Sequence, residues 1–79
     1  MLIMELVHRR WWNGHYGRMA RRDVVIFIDG DTWRVEAWEG GREGRVRAWA
    51  PPDEEECLLL ADDLMSDSEG WRELPTSRP

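Results

Sequence analysis

Residues 23–49 read DVVIFIDGDTWRVEAWEGGREGRVRAW, and this stretch decides the fold. Val24–Ile28 is a run of five strand formers held between Asp23 and Asp29. Asp29–Gly30–Asp31 supplies a tight turn, with Gly30 free to take the positive φ that primed hairpin turns need. Thr32–Glu39 then alternates: Trp33, Val35 and Ala37 share one face, while Arg34, Glu36 and Trp38 share the other. Gly40–Gly41 predicts a second turn, after which Arg45–Ala50 alternates again. A two-residue turn at Gly41–Arg42 pairs Trp38 with Arg45, Glu36 with Arg47 and Arg34 with Trp49. It also sets Ala37 against Val46 and Val35 against Ala48. The expectation is a three-stranded meander with one aliphatic face and one Arg/Trp face.

Pro51–Pro52 closes the sheet, and Asp53 predicts a helix N-cap followed by Glu54, Glu55 and Glu56 in the first turn, where the macrodipole favours negative charge. Cys57, Leu60, Ala61 and Leu64 repeat at helical spacing, flanked by Leu58 and Met65, so the helix is expected to run to about Ser66–Ser68 and stop before Gly70. Its stripe fits the aliphatic face of the sheet. Upstream, Leu2–His8 reads as a short strand, and Arg9–Arg22 breaks both periodicities and reads as an irregular loop. The fold class is therefore α+β: a small antiparallel sheet of three to four strands with one C-terminal acidic helix packed on one face. The expected core is Val24, Ile26, Ile28, Trp33, Val35, Ala37, Val46, Ala48, Cys57, Leu60, Ala61 and Leu64, with Trp71 and Leu74 folding back onto it. Residues 1–74 read as a single domain and 75–79 as a flexible tail.

Charge is divided along the chain. Residues 1–22 carry five arginines and one acid, for +4, and residues 23–79 carry −9, giving −5 in all. All eleven basic residues are arginine; GC-rich coding, as in some bacteria and their phages, disfavours lysine codons. Cys57 is the one cysteine, so no intrachain disulfide is available, which suits a reducing cytoplasm. No apolar run is long enough for a membrane helix, and Met1–Val7 is too short for a signal peptide. A cytoplasmic chain without membrane contact is expected.

Three surfaces compete for function. The first is the basic aromatic segment: Arg9, Arg10, Arg18, Arg21 and Arg22 suit phosphates or acidic partners, with Trp11, Trp12, His15 and Tyr16 among them. The structural reading of the same residues has the aromatics covering the second sheet face, where Val25, Phe27, Trp38 and Trp49 need it, while the arginines neutralise the chain's own acids. The second surface is Asp53–Glu69, with eight acids and no base, which suits a solvated helix face or a basic partner. The third is the predicted sheet face carrying Arg34, Trp38, Arg45, Arg47 and Trp49, residue types enriched at binding hot spots.

Catalytic sets are sparse. His8 and His15 sit seven residues apart among arginines, a pattern that suits phosphate contact better than acid–base work, and no P-loop or G-x-S-x-G is present. Neither a metal site nor a cofactor is expected, because His8, His15 and Cys57 fall one short of a closed zinc set. The order strand, Trp, glycine-rich turn, strand, acidic helix and late Trp over Thr32–Trp71 resembles the WGR domain, a nucleic-acid-binding module. The chain departs from its signature: residues 38–42 read Trp-Glu-Gly-Gly-Arg in place of Trp-Gly-Arg, so only Trp38 and a shifted Arg42 correspond. The sequence points to a small non-catalytic accessory or regulatory protein that binds a protein partner or a second copy of itself. The alternative is single-stranded nucleic acid held by the basic N-terminal segment.

Overall fold

The computed structural model describes residues 5–17, 19–41 and 43–76. Within them the elements run β1 (Glu5–Trp12), β2 (Arg22–Asp29), β3 (Thr32–Glu39), β4 (Arg45–Trp49), α1 (Glu54–Leu64) and β5 (Arg72–Leu74). The strands form one antiparallel sheet in the order β4-β3-β2-β1-β5, and α1 packs across one face against β2 and β3. The architecture is α+β as expected, with five strands instead of three or four.

The apolar run Val24–Ile28 became the central strand because both its faces are covered: Val24, Val25 and Ile26 are all at most 1 % exposed. Asp29 pairs with Thr32 across Gly30, whose φ is +61°, as the hairpin reading requires. On the helix side, Val24, Ile26 and Val35 meet Cys57 and Ala61, with Trp11, Trp33, Trp49, Leu58, Leu60, Leu64, Met65 and Trp71 packed around them. Asp53 caps the helix by accepting the Glu56 N–H at 2.9 Å, a contact worth about 1 kcal/mol. The helix ends earlier than its apolar spacing suggested, at Leu64, with Met65 as its C-cap.

Two expectations fail for identifiable reasons. The β1 strand includes Arg9–Trp12, which the sequence reading assigned to a loop; residues 2–4 of the expected Leu2–His8 strand lie outside the described residues. The register shifts between Val7 and Arg9, leaving His8 as a bulge residue that disrupts the period-two pattern. The β3–β4 connection is not a two-residue turn. Glu39 pairs with Arg45 across residues 40–44, Gly40 and Gly41 both have positive φ, and the Gly44 N–H donates to the Gly41 carbonyl at 3.1 Å. The register is Trp38–Val46, Ala37–Arg47, Glu36–Ala48 and Val35–Trp49, one residue from the expected pairing. One residue of slip inverts every side chain of β4. Val46 and Ala48 are therefore exposed on the face away from the helix instead of lying in the core, and Trp49 packs on the helix side. Leu74 pairs with Arg10 on the face away from the helix, whereas Trp71 does join the helix-side core. Of the expected tail, residues 77–79 lie outside the described residues.

Candidate functional site: an arginine-roofed open face

Alternation along β1, β2, β3 and β5 places Trp12, Arg10, Asp23, Val25, Phe27, Arg34, Glu36, Trp38 and Arg72 on the face opposite α1. Among the described residues no helix covers this face, yet Val25 is 0 %, Phe27 8 %, Trp38 6 % and Trp12 9 % exposed. Arginine side chains supply the cover. The Arg10 guanidinium lies 5.0 Å from the Trp38 ring centre, Arg34 4.4 Å from Phe27, and Arg21 and Arg72 lie 5.5 and 5.6 Å from Trp12. The long arginine stems bury apolar ring surface while the charged heads stay at the boundary with water.

A buried carboxylate ties this roof down. Asp23 is 1 % exposed and accepts from Arg10 Nε and Nη2 at 3.2 and 2.8 Å, and from Arg21 Nε and Nη2 at 2.9 and 3.2 Å. Burial works to raise its pKa, but the hydrogen bonds from Arg21 and Arg10 prevail and hold the carboxyl below its usual range. At the other end Arg34 bonds both Glu5 and Glu36, and Glu36 also accepts the Trp38 indole N–H at 2.8 Å. The Glu5 contact, with that of Glu36 beside it, raises the Arg34 guanidinium above the ordinary arginine value.

The loop after β1 is built around Asn13, which is 6 % exposed. Its amide donates to the Ala20 carbonyl at 2.8 Å, and its side-chain oxygen accepts from the Arg22 and His15 N–H groups. The Trp12 indole donates to the His15 carbonyl at 3.0 Å, and Tyr16 meets the Trp12 ring edge-on at 4.9 Å. Tyr16 is left 86 % exposed and Met19 98 % exposed.

The structure divides the expected site residues. Arg10, Trp12, Arg21, Arg34 and Trp38 gather on the open face, with His15 and Tyr16 at its end. Arg9, Trp11 and Arg22 turn to the helix side: Arg9 sits over Trp11 and pairs with Glu73, and Arg22 sits over Trp71 and pairs with Asp67 at 2.8 Å. Those partners lower the pKa values of Glu73 and Asp67 through the arginine hydrogen bonds. Arg45, Arg47 and Trp49 are also on the helix side, so the expected face combining them with Arg34 and Trp38 does not exist, nor does a self-interface uniting Trp38 and Trp49. The Trp38–Arg45 and Arg34–Trp49 pairs expected across β3 and β4 are replaced by cation–π contacts of Arg10 with Trp38 and of Arg47 with Trp49. Arg18 lies outside the described residues. Sequence reading missed Arg72, which sits in a three-residue strand, and took Asp23 for a strand boundary instead of the anchor of two guanidiniums.

His8 is on the helix side, 2.7 Å from Glu54 and edge-on to Trp33, whereas His15 lies in the loop beyond Trp12. Among the described residues no group of three His, Cys, Asp or Glu side chains is placed to hold a metal ion, and no helix is long and apolar enough to cross a membrane. Comparison with protein-family models, with curated proteins and with solved structures finds no match.

Proposed function

We propose that this chain is a small non-catalytic accessory or regulatory protein that acts by binding another protein, with the β1–β5 end of the open face as its contact surface. The observation that carries the reading is the exposure of Tyr16 and Met19, 86 % and 98 %, in the segment after β1, with Tyr16 edge-on to the Trp12 ring that Arg21 and Arg72 also cover. Tyr, Met and Arg are the residue types enriched at the centres of protein interfaces. The flanks of this segment are tied by the Asn13 side chain to Ala20 and Arg22 and by the Trp12–His15 hydrogen bond, which lowers the ordering entropy lost there on docking. Arg10, Arg21 and Arg72 face one carboxylate, Asp23, which leaves the patch with two positive charges and favours an acidic partner surface.

The single-stranded nucleic-acid alternative needs Trp11 and Trp12 as stacking platforms. Trp11 packs on the helix-side core beneath Arg9, and Trp12 is covered by Arg21, Arg72 and Tyr16, which favours the protein reading. The test is capture from lysate of the encoding cells, with and without nuclease, using the intact chain and a Tyr16→Ala/Met19→Ala variant shown to be folded by its melting curve. The expected result is a protein retained after nuclease treatment and lost from the variant. Enrichment of RNA or DNA with no nuclease-resistant protein overturns the proposal.

A further inference from the structure

The outer edge of β4 carries a second surface. Gly40 donates its N–H to the Arg21 carbonyl and Asn13 donates to that of Arg22, which fixes the alternation of the ladders. Val35, Ala37 and Glu39 then bond toward β4, so their partners Arg45, Arg47 and Trp49 turn their main chain inward. The N–H and C=O groups of Val46 and Ala48 face outward at the end of the sheet, where no strand follows among the described residues. Of the devices that protect edges, β4 has two charged side chains, Arg45 and Arg47, but no proline and no bulge, and its residues 45–48 are exposed.

The side chains beside this edge are specific. Arg45 makes no ion pair among the described residues, and Arg47 is 3.9 Å from Glu39, too far for a hydrogen bond. Trp49 continues their row into a groove of about 340 Å³ lined by Ala50, Pro51, Pro52, Glu56 and Leu60. The groove lies where α1, which packs on β2 and β3, leaves the edge strand uncovered.

We propose that β4 is a strand-addition site for an extended acidic segment of a partner protein. The segment runs antiparallel to β4, with an apolar side chain in the Trp49/Leu60 groove and carboxylates two and four residues later, opposite Arg47 and Arg45. These three positions fall in non-hydrogen-bonded pairs, where facing side chains are closest, while the backbone bonds go to Val46 and Ala48. Charge selects this occupant over a second copy of the chain. The fullest face-matched antiparallel pairing of β4 with itself sets Arg47 against Arg47 and Arg45 against Trp49, with no carboxylate facing either arginine. The proposal rests on the binding-protein reading above but uses a different surface, so the two fail separately.

The probe is a capped threonine heptapeptide with leucine at its second position and glutamate at its fourth and sixth. It is titrated at low salt into the isotopically labelled chain and followed by amide shifts and hydrogen exchange. The expected result is slowed exchange at Val46 and Ala48 and binding about tenfold tighter than for the peptide with lysine in place of glutamate. Arg45→Glu/Arg47→Glu, at two exposed positions, should reverse that preference. Ala48→Pro, which removes an outward N–H and spares the ladder to β3, should abolish binding by both peptides. Absence of binding, a preference that survives the charge reversal, or self-association through β4 without peptide overturns the proposal. Binding that perturbs Tyr16 and Arg72 in place of β4 overturns it too, while leaving the open-face reading intact.

Discussion

Replacing Asp23 with Asn tests whether the arginine roof is anchored from below. In the native protein the carboxylate is 1 % exposed and receives four N–H contacts from Arg10 and Arg21. Three of these reach Oδ2 and one reaches Oδ1, so an Asn that keeps its oxygen at the Oδ2 position sets its NH2 against the Arg21 Nε–H. Charge-assisted hydrogen bonds contribute about 1.5–3 kcal/mol each. Two effects reduce the net loss: both arginines are 32 % exposed and can rehydrate, and removing a buried charge relieves its desolvation. The expected cost is about 2 kcal/mol, a large share of the ~4–12 kcal/mol typical for a chain of this length. That corresponds to roughly 8–16 °C in melting temperature. Urea unfolding followed by tryptophan fluorescence measures it. Because the folded pKa of Asp23 is depressed, its contribution is fully present above the unfolded value of about 3.9 and is lost as pH falls through the lower folded value. The gap between native and variant should be widest near neutrality and close below about pH 4. A gap under about 0.5 kcal/mol at pH 7, or one that is as large at pH 2 as at pH 7, refutes the anchoring role.

Two further outcomes follow from the geometry. A Cβ added at Gly44 would lie 2.1 Å from the Glu39 carbonyl oxygen, so Gly44→Ala should lower stability by more than about 1 kcal/mol. Gly17→Ala, with nothing within 4 Å of the new atom, should be neutral or slightly stabilising, and thermal melts of the pair check the contrast. Cys57 is 0 % exposed and its thiol pKa is raised by burial and by the neighbouring Asp53 and Glu54, so alkylation of the native protein should proceed only through unfolding. Labelling as fast in buffer as in urea would contradict the placement of α1 on the sheet.

The sequence was informative wherever one local rule acted alone. The Val24–Ile28 run, the Asp29–Gly30–Asp31 turn, the Asp53 cap and the Cys57/Ala61 stripe all lie where pattern and capping put them. It was misleading where a single inserted residue or loop length governs many side chains. The His8 bulge hid the continuation of β1 through Arg9–Trp12, and the five-residue connection before Arg45 turned β4 over. The open face was legible only in part. Arg10, Trp12, Arg21 and Tyr16 stood out as an aromatic basic cluster, but its anchor and its fourth guanidinium come from Asp23 and Arg72, and a three-residue strand leaves no periodic signal.

The place of β1 inside the sheet has a consequence for how the chain is made. The β2–β3–β4 meander closes only short connections, so it can form as soon as residues 22–49 have left the ribosome. The β1–β5 pairing joins Arg10 to Leu74 and is backed by an Arg9–Glu73 ion pair spanning 64 positions. Until those last residues emerge, the nascent sheet holds β1 as an open edge with Arg9, Arg10 and both adjacent tryptophans along it. Translation that stalls before Arg72 therefore releases a chain with an unfilled strand position beside β1, and such a truncated chain should be directed toward aggregation or a protease.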